Sequence, residues 1–341
     1  KYNVKNLIIT NNKSFELLKK KVSKKNINVF NNFKNLNLIF KYKIDYVMNA
    51  ITGINGLIPT LNIIRFTNKI AIANKESIIC GWNLIHRKLK QNKTAFIPVD
   101  SEHFSIWYGS RHLKINKIEK IFITASGGPF YNFSSSQIKK ASISQALKHP
   151  NWKMGKKISI DSATLINKIY EVIEAKNIFN LTYNKIDILI HPKSYVHAII
   201  KFDDGLIKLI VHETTMDVPI FNTLYFNSNK NIKTKKLDID ALNNLNLKKV
   251  CSKKYPMVKL IKMLPDRLSL FETVIVSAND MLVELFLNKK IRFTDIQKEL
   301  FKLIKTKEFF KYKKIYPKTP KDIIDLNKYV RMKIFKKVYK K

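Results

Sequence analysis

Long apolar runs are missing from this chain of 341 residues. None approaches the roughly 18 residues that a bilayer-spanning helix needs, so a helical membrane protein is excluded and a soluble one expected. Cysteine is scarce. Cys80 and Cys251 stand far apart with no metal-ligand spacing around either, and they read as reduced, inert thiols of a reducing compartment. Acidic residues are few, 25 against 64 Lys and Arg, which leaves a net charge of +39. Such a charge gathers phosphate backbones. The excess is overwhelmingly lysine, however, whereas specific readout favours the forked guanidinium of arginine. The lysines are also spread along the whole chain among many Asn and Ile residues, and all three types have AT-rich codons. A biased genome accounts for this composition, and neither a nucleic-acid nor a membrane partner is expected. The chain opens at Lys1 without an initiator methionine, and no signal peptide or Arg-rich transit segment is visible there.

What is present suits a folded protein of two or three domains, with 45% hydrophobic and 11% aromatic residues. Over the first hundred residues short apolar runs alternate with helical stretches. NLIIT (6–10), INVF (27–30), YVMNAI (46–51), KIAIA (69–73) and TAFIPV (94–99) read as strands. SFELLKKKV (14–22), LIPTLNIIRF (57–66) and ESIICGWNLIHRKLKQ (76–91) read as helices between them. That alternation predicts parallel βαβ units of a doubly wound sheet. Further on, the pattern predicts a strand at 120–125, a long helix at 163–179 and strands in DILIHP, YVHAIIKF and GLIKLIVHE. A polar Asn- and Lys-rich linker and a mainly helical C-terminal bundle then follow.

Five short stretches could carry chemistry. Asp100-Ser101-Glu102 follows a strand directly. With extended backbone its two carboxylates would share a side and bind a hard cation such as Mg²⁺ or Mn²⁺, although a solvated acidic turn is the commoner fate of D-x-E. Asp161-Ser162-Ala163-Thr164 opens the long helix, with Ser162 at the cap and an anion site in the free N–H groups. One to two turns on, Asn167, Lys168 and Glu171 share a face that could hold a metal and a polyhydroxylated phosphate, or simply pair on a wet surface. Ser126-Gly127-Gly128 after the 120–125 strand suits either an anion cradle or a structural turn. The stretch His149 to Lys157, with Trp152, Met154 and Gly155, reads as a loop able to close over a site, although a lone Trp is more often a packing anchor. Asn74-Lys75-Glu76, at the end of KIAIA, either faces a ligand or starts a helix.

Taken in order, ANKES, PVDSEH, SGGPF, HPNWKMGKKISIDSAT, NK-x-x-E and HPKSYVHA resemble the 1-deoxy-D-xylulose 5-phosphate reductoisomerase family of the non-mevalonate isoprenoid pathway. The agreement is tightest from about residue 71 to 201, and extends through AITGINGLIPT upstream and NKKIRFTDI downstream. The resemblance implies an oxidoreductase that rearranges its substrate by carbon–carbon cleavage and rejoining. Hydride transfer from NADPH then gives 2-C-methyl-D-erythritol 4-phosphate. Residue by residue, it implies Asp100, Glu102 and Glu171 as ligands of one Mg²⁺ or Mn²⁺. Ser126, Ser162, Asn167 and Lys168 match the positions around the substrate phosphate and hydroxyls. Lys75, Ser101, His149, Trp152 and Met154 match further substrate contacts, with Glu102 and Glu171 also reaching the substrate. Lys75, Glu102, His149 and Lys168 form the expected catalytic set, and Asn74, Glu76 and Gly155 match NADPH contacts.

The architecture so implied is α/β. It has a Rossmann-like nucleotide domain over 1–99, incomplete at its start, and a central catalytic domain over 100–225 with a homodimer interface. A linker over 226–254 and a helical domain over 255–341 complete it. The compartment is bacterial cytoplasm, with a plastid-type organelle as the alternative. Departures are visible: the family's opening Gly-rich turn is not in the sequence, Ile169 stands where Gly is usual, and Asp280 stands where Glu is usual. HETTMDVPI (212–220) also differs from the usual P-D-M-R-x-P-I. Two other readings remain at this point. One is a decayed relative that keeps the metal and phosphate site without binding NADPH. The other is a basic RNA- or membrane-surface-binding protein.

Overall fold

The computed structural model describes residues 4–23, 25–34, 36–111, 117–226 and 228–339. The strand expectations hold within a few residues. β1 (Asn6–Ile8) and β2 (Asn28–Phe30) form one parallel pair, enclosing the helix Asn12–Lys21. β3 (Ile44–Asn49), β4 (Thr67–Ile72) and β5 (Ala95–Pro98) form a second parallel sheet in the order β3-β4-β5. The Ile- and Ala-rich β4 lies at its centre with Ile70, Ala71 and Ile72 fully buried, as expected for a strand covered on both faces. A third, mixed sheet runs β10-β7-β6-β8-β9. In it β6 (Ile118–Ala125) pairs in parallel with β7 (Ile186–Ile190) and antiparallel with β8 (Val196–Phe202). β9 (Ile207–Val211) and β10 (Lys248–Lys249) are its edges.

The expected linker is therefore partly built into the catalytic sheet. Asp238 caps a short helix, Ile239–Asn243, and β10 then pairs antiparallel with β7. The C-terminal region is helical as expected, but MVKLIKML winds as a 3₁₀ segment, Pro256–Met263, with a proline at its start. Nor does that region keep a core of its own. Residues of the helices Lys75–Asn92, Ile166–Phe179, Leu270–Leu287 and Pro320–Tyr339 share one apolar cluster reaching from Ile54 to Ile334.

The helix Ile166–Phe179 is the pivot, and three stripes on its surface face three ways. Ile166, Ile169, Tyr170 and Ile173 enter the large shared core. Val172, Ala175 and Phe179 enter a second core beneath the mixed sheet. Lys168, Glu171 and Glu174 make up the third, buried and polar. Spacings of three and four put each set on one face. Ile169 is fully buried, so the helix packs closely with isoleucine where the family usually has glycine.

One expectation fails here. A single helix over 163–179 with Ser162 as its cap is not formed. Ser162 lies in the last turn of a separate helix, Lys156–Thr164, and Leu165 breaks the chain at φ 65° and ψ 11°. A leucine in the left-handed region costs on the order of 1–2 kcal/mol, held in place here by its burial against Ala125, Ile190 and Tyr255.

Candidate active site

Three of the motifs hang from the carboxyl ends of strands, where open α/β sheets present their ligand groups. β4 leads into Asn74, which caps the helix Lys75–Asn92 by accepting from the Ser77 N–H at 2.8 Å. β5 leads into Asp100, the residue before the helix Ser101–Ser110. The extended backbone expected through Asp100-Ser101-Glu102 is therefore replaced by a helix start, which brings the two carboxylates together without strand alternation. β6 leads into Ser126 and the two glycines. Gly127 and Gly128 take φ 84° and 67°, and a Cβ on Gly128 would meet the Ser162 carbonyl oxygen at 2.8 Å. Only glycine lets this turn lie against the helix that carries Ser162.

Asp100, Glu102 and Glu171 each bring an oxygen within 4.8 Å of the other two. Two lysines thread this cluster. Lys75 Nζ lies 2.6 Å from Asp100 and 3.6 Å from Glu171 and donates to Asn167 Oδ1 at 2.8 Å. Lys168 Nζ lies 2.7 Å from Glu102 and 2.5 Å from Glu171. Burial opposes the charge on both lysines, but the carboxylates around them outweigh it and raise their pKa values. Glu171 is pushed up to about 8 by burial and by the charge of Glu102. Glu102 is held well below the carboxylate range because Lys168 and His197 override the cost of its burial. Behind the cluster, His103 donates its Nε2–H to the Glu171 carbonyl at 2.8 Å and turns Nδ1 toward Glu174 at 3.4 Å.

The donor set suits a hard divalent cation: three carboxylates and no sulfur, beside a cavity of about 280 Å³. Ser126, Ser162, Asn167 and Lys168 line the same cavity, as do Ser101, His149, Trp152 and Met154. His149 Nδ1 accepts from the Asn151 and Trp152 N–H groups at 3.2 and 3.0 Å, which leaves the ring proton on Nε2. That proton is donated to Ser126 Oγ at 3.0 Å. Ser126 Oγ also accepts from the Gly128 N–H at 3.0 Å, so its own hydroxyl proton is free to point at an anion in the cavity. Burial and the charge of Lys168 lower the His149 pKa to about 4, so the ring is neutral near pH 7.

The three residues matched to NADPH contacts lie elsewhere. The Asn74 side chain also holds the preceding turn by donating to Gly53 O at 2.8 Å, and Glu76 is ion-paired with Lys157 at 2.7 Å. Gly155 starts the helix Lys156–Thr164 with nothing within 4 Å of its Cβ direction.

Family models match most of the chain. That of the 1-deoxy-D-xylulose 5-phosphate reductoisomerase matches residues 1–81, and that of its C-terminal domain matches 96–179. A second model, of the DXP reductoisomerase C-terminal domain, matches 212–333. The 1-deoxy-D-xylulose 5-phosphate reductoisomerase of Pelagibacter ubique strain HTCC1062 is 57% identical over 98% of this chain and 86% of its own. The chain belongs to the 1-deoxy-D-xylulose 5-phosphate reductoisomerase family. Its class is accordingly that of an NADPH-dependent oxidoreductase. The family's enzyme from Sulfurihydrogenibium sp. strain YO3AOP1 is 38% identical over 80% of this chain and 71% of its own. Among solved structures, the Zymomonas mobilis reductoisomerase in complex with NADPH superimposes with a TM-score of 0.86 at 29% identity, over 98% of this chain and 86% of that one. A reductoisomerase in complex with NADPH, fosmidomycin and magnesium gives a TM-score of 0.87 at 29% identity, with the same coverage.

Within the family motif HPKSYVHA, two cavity residues were not among the expected site residues: Ser194 fell between two expected strands and His197 within the second. Ser194 sits before β8 at φ 54° and accepts from Asn151 Nδ2 at 2.8 Å, tying that turn to the 149–155 loop. His197 stacks on His212 at 3.6 Å, and burial with that neighbour lowers its pKa to about 3. The signal was the pair of polar residues two and five places after Pro192. Thr124, Leu165 and Met216 also line the cavity without any such signal.

Proposed function

We propose that Asp100, Glu102 and Glu171 hold one Mg²⁺ or Mn²⁺ and that the adjoining cavity takes the substrate of this reductoisomerase. The reaction is the NADPH- and metal-dependent conversion of 1-deoxy-D-xylulose 5-phosphate to 2-C-methyl-D-erythritol 4-phosphate. The observation that carries the site assignment is the convergence of three carboxylates and two lysines on one cavity edged by serine hydroxyls. When bound, the ion supplies a Lewis acid and a template for the substrate's carbonyl and hydroxyl oxygens.

The chain's own groups divide the remaining work. Lys168 stays charged and neutralises phosphate beside Asn167, while Ser162 and Ser126 offer hydroxyl protons to its oxygens. His149, neutral and with its proton on Nε2, donates without adding charge. Lys75 fixes Asp100 and Asn167 and stands beside the reacting carbons with Ser101. Trp152 and Met154, on a loop stitched to Ser194 through Asn151, exclude water from the site. NADPH is contacted around Asn74, Glu76 and Gly155, with Gly155 offering bare backbone. The same reading divides the chain into a nucleotide domain over 1–99, a catalytic domain over 100–225, a linker over 226–254 and a helical domain over 255–341.

The protein acts as a homodimer in bacterial cytoplasm. The edge strand β9 supports the dimer: Leu206 just before it and Ile207 and Leu209 on it are 64, 56 and 42% exposed, an apolar edge that a monomer would leave in water. Two free cysteines suit a reducing compartment, and no described helix is long and apolar enough to cross a membrane.

The deciding experiment follows NADPH oxidation by absorbance with 1-deoxy-D-xylulose 5-phosphate, with Mg²⁺ or Mn²⁺ and after chelation. Turnover that requires metal supports the reading. Undiminished turnover after exhaustive chelation removes the metal from it.

A further inference from the structure

Away from the reacting centre, a second ionic cluster forms where three parts of the chain meet. Lys157, in the first turn of the helix Lys156–Thr164, places Nζ 2.7 Å from Glu76 Oε1, 2.9 Å from Asp161 Oδ2 and 3.0 Å from Asp280 Oδ1. Glu76 lies in the first turn of the helix that begins with Lys75, and Asp280 lies on Leu270–Leu287. The neighbouring Asn279 donates Nδ2–H to the other oxygen of Asp161 at 2.7 Å. An ammonium has three protons, and here each has a carboxylate in reach. The Tyr170 ring flanks Nζ at 5.4 Å.

The cluster is lopsided. Three carboxylates face one ammonium, and their side chains are only 2–17% exposed. Without Lys157 they would repel one another in a poorly hydrated space, so the contact among the three segments depends on this one cation. Burial pushes Asp280 up to about 6 despite the attraction of Lys157, the mark of a site short of positive charge.

What the cluster holds is functional. The helix Lys156–Thr164 carries Ser162 into the cavity and receives the 149–155 loop at its N-terminus. Glu76 is the next residue after Lys75, which is paired with Asp100. We propose that Lys157 is a positioning residue, which clasps the Ser162 helix to the Lys75 helix on one side and to Leu270–Leu287 on the other. Ser162 and Lys75 are thereby held at a fixed separation across the cavity. This inference rests on the reading of Ser162 as a phosphate contact.

The test uses the full chain with Mg²⁺ and measures 1-deoxy-D-xylulose 5-phosphate binding by calorimetry, along with kcat and both KM values. Lys157→Met should raise the substrate dissociation constant and KM by about tenfold, with Lys157→Arg recovering most of the loss. Asp280→Ala removes one leg of the clasp and relieves charge crowding. It should fold and weaken substrate binding about threefold. If Lys157→Met folds and binds substrate like the wild type, with only its melting temperature changed, the positioning role is wrong. Should that variant not fold, unaltered substrate binding by Asp280→Ala overturns it equally. A wild type that binds no substrate overturns the phosphate reading, and this inference with it.

Discussion

Glu171 is the side chain on which the electrostatics of the site converge, since it meets Lys75, Lys168 and Asn167 at once. Burial and the charge of Glu102 push its pKa up, so the fold itself disfavours the charged form at this position. Glu171→Gln should therefore leave the melting temperature nearly unchanged while lowering kcat by at least about a hundredfold, since one anionic metal ligand is gone. Wild-type turnover at ordinary Mg²⁺ would rule out its place among the ligands. Gly128 gives a second prediction. Alanine there must adopt φ 67° and push against the Ser162 carbonyl, so Gly128→Ala should destabilise the fold by about 1–3 kcal/mol and raise the substrate KM. Chemical denaturation and steady-state kinetics on the same preparation check both. At this scale the sequence was informative wherever residue type carried the chemistry, as in D-S-E and N-K-x-x-E. It was silent on Met216 and Leu165, whose place in the cavity depends on long-range packing alone.

Elements were legible where one physical rule dominated. The alternation of apolar runs with helical stretches located β1 to β5. The break at Leu165 was not legible, because nothing marks a leucine for left-handed backbone. Only its burial under β6 and β7 residues enforces it. The pairing of β10 with β7 likewise comes from long-range register that two lysines do not advertise. The helix Leu270–Leu287 makes a prediction of its own. Ser269 and Glu272 form its capping box, yet Glu272 is fully buried and burial lifts its pKa from 4.5 to about 7. A carboxyl with a raised folded pKa favours folding only while protonated. Stability should therefore fall as pH rises from about 4.5 to about 7 and then level off, losing on the order of 3 kcal/mol. Glu272→Gln keeps the cap's acceptor and should lack that slope. Unfolding free energies at pH 5 and pH 8 would show it: the variant gains on the wild type at pH 8 and not at pH 5.

For the whole molecule, the exposed edge of β9 bears on assembly. A dimer predicts a sedimentation mass of twice 39.9 kDa, and Leu209→Lys should shift it toward the monomer without changing the circular dichroism spectrum. A wild type that sediments as one chain at micromolar concentration would remove the dimer. Composition announced a folded protein and the strand–helix alternation an α/β one, but neither announced that the C-terminal helices complete the core of the N-terminal half. The clasp at Lys157 has a consequence for how the protein is made. Its third carboxylate, Asp280, and Asn279 leave the ribosome more than a hundred residues after Lys157 itself. During synthesis the strands and the glycine turn can form early, but the Ser162 helix has no fixed seat until Leu270–Leu287 arrives. A nascent chain stalled before that helix would hold all three proposed metal ligands and still lack the seat that fixes Ser162.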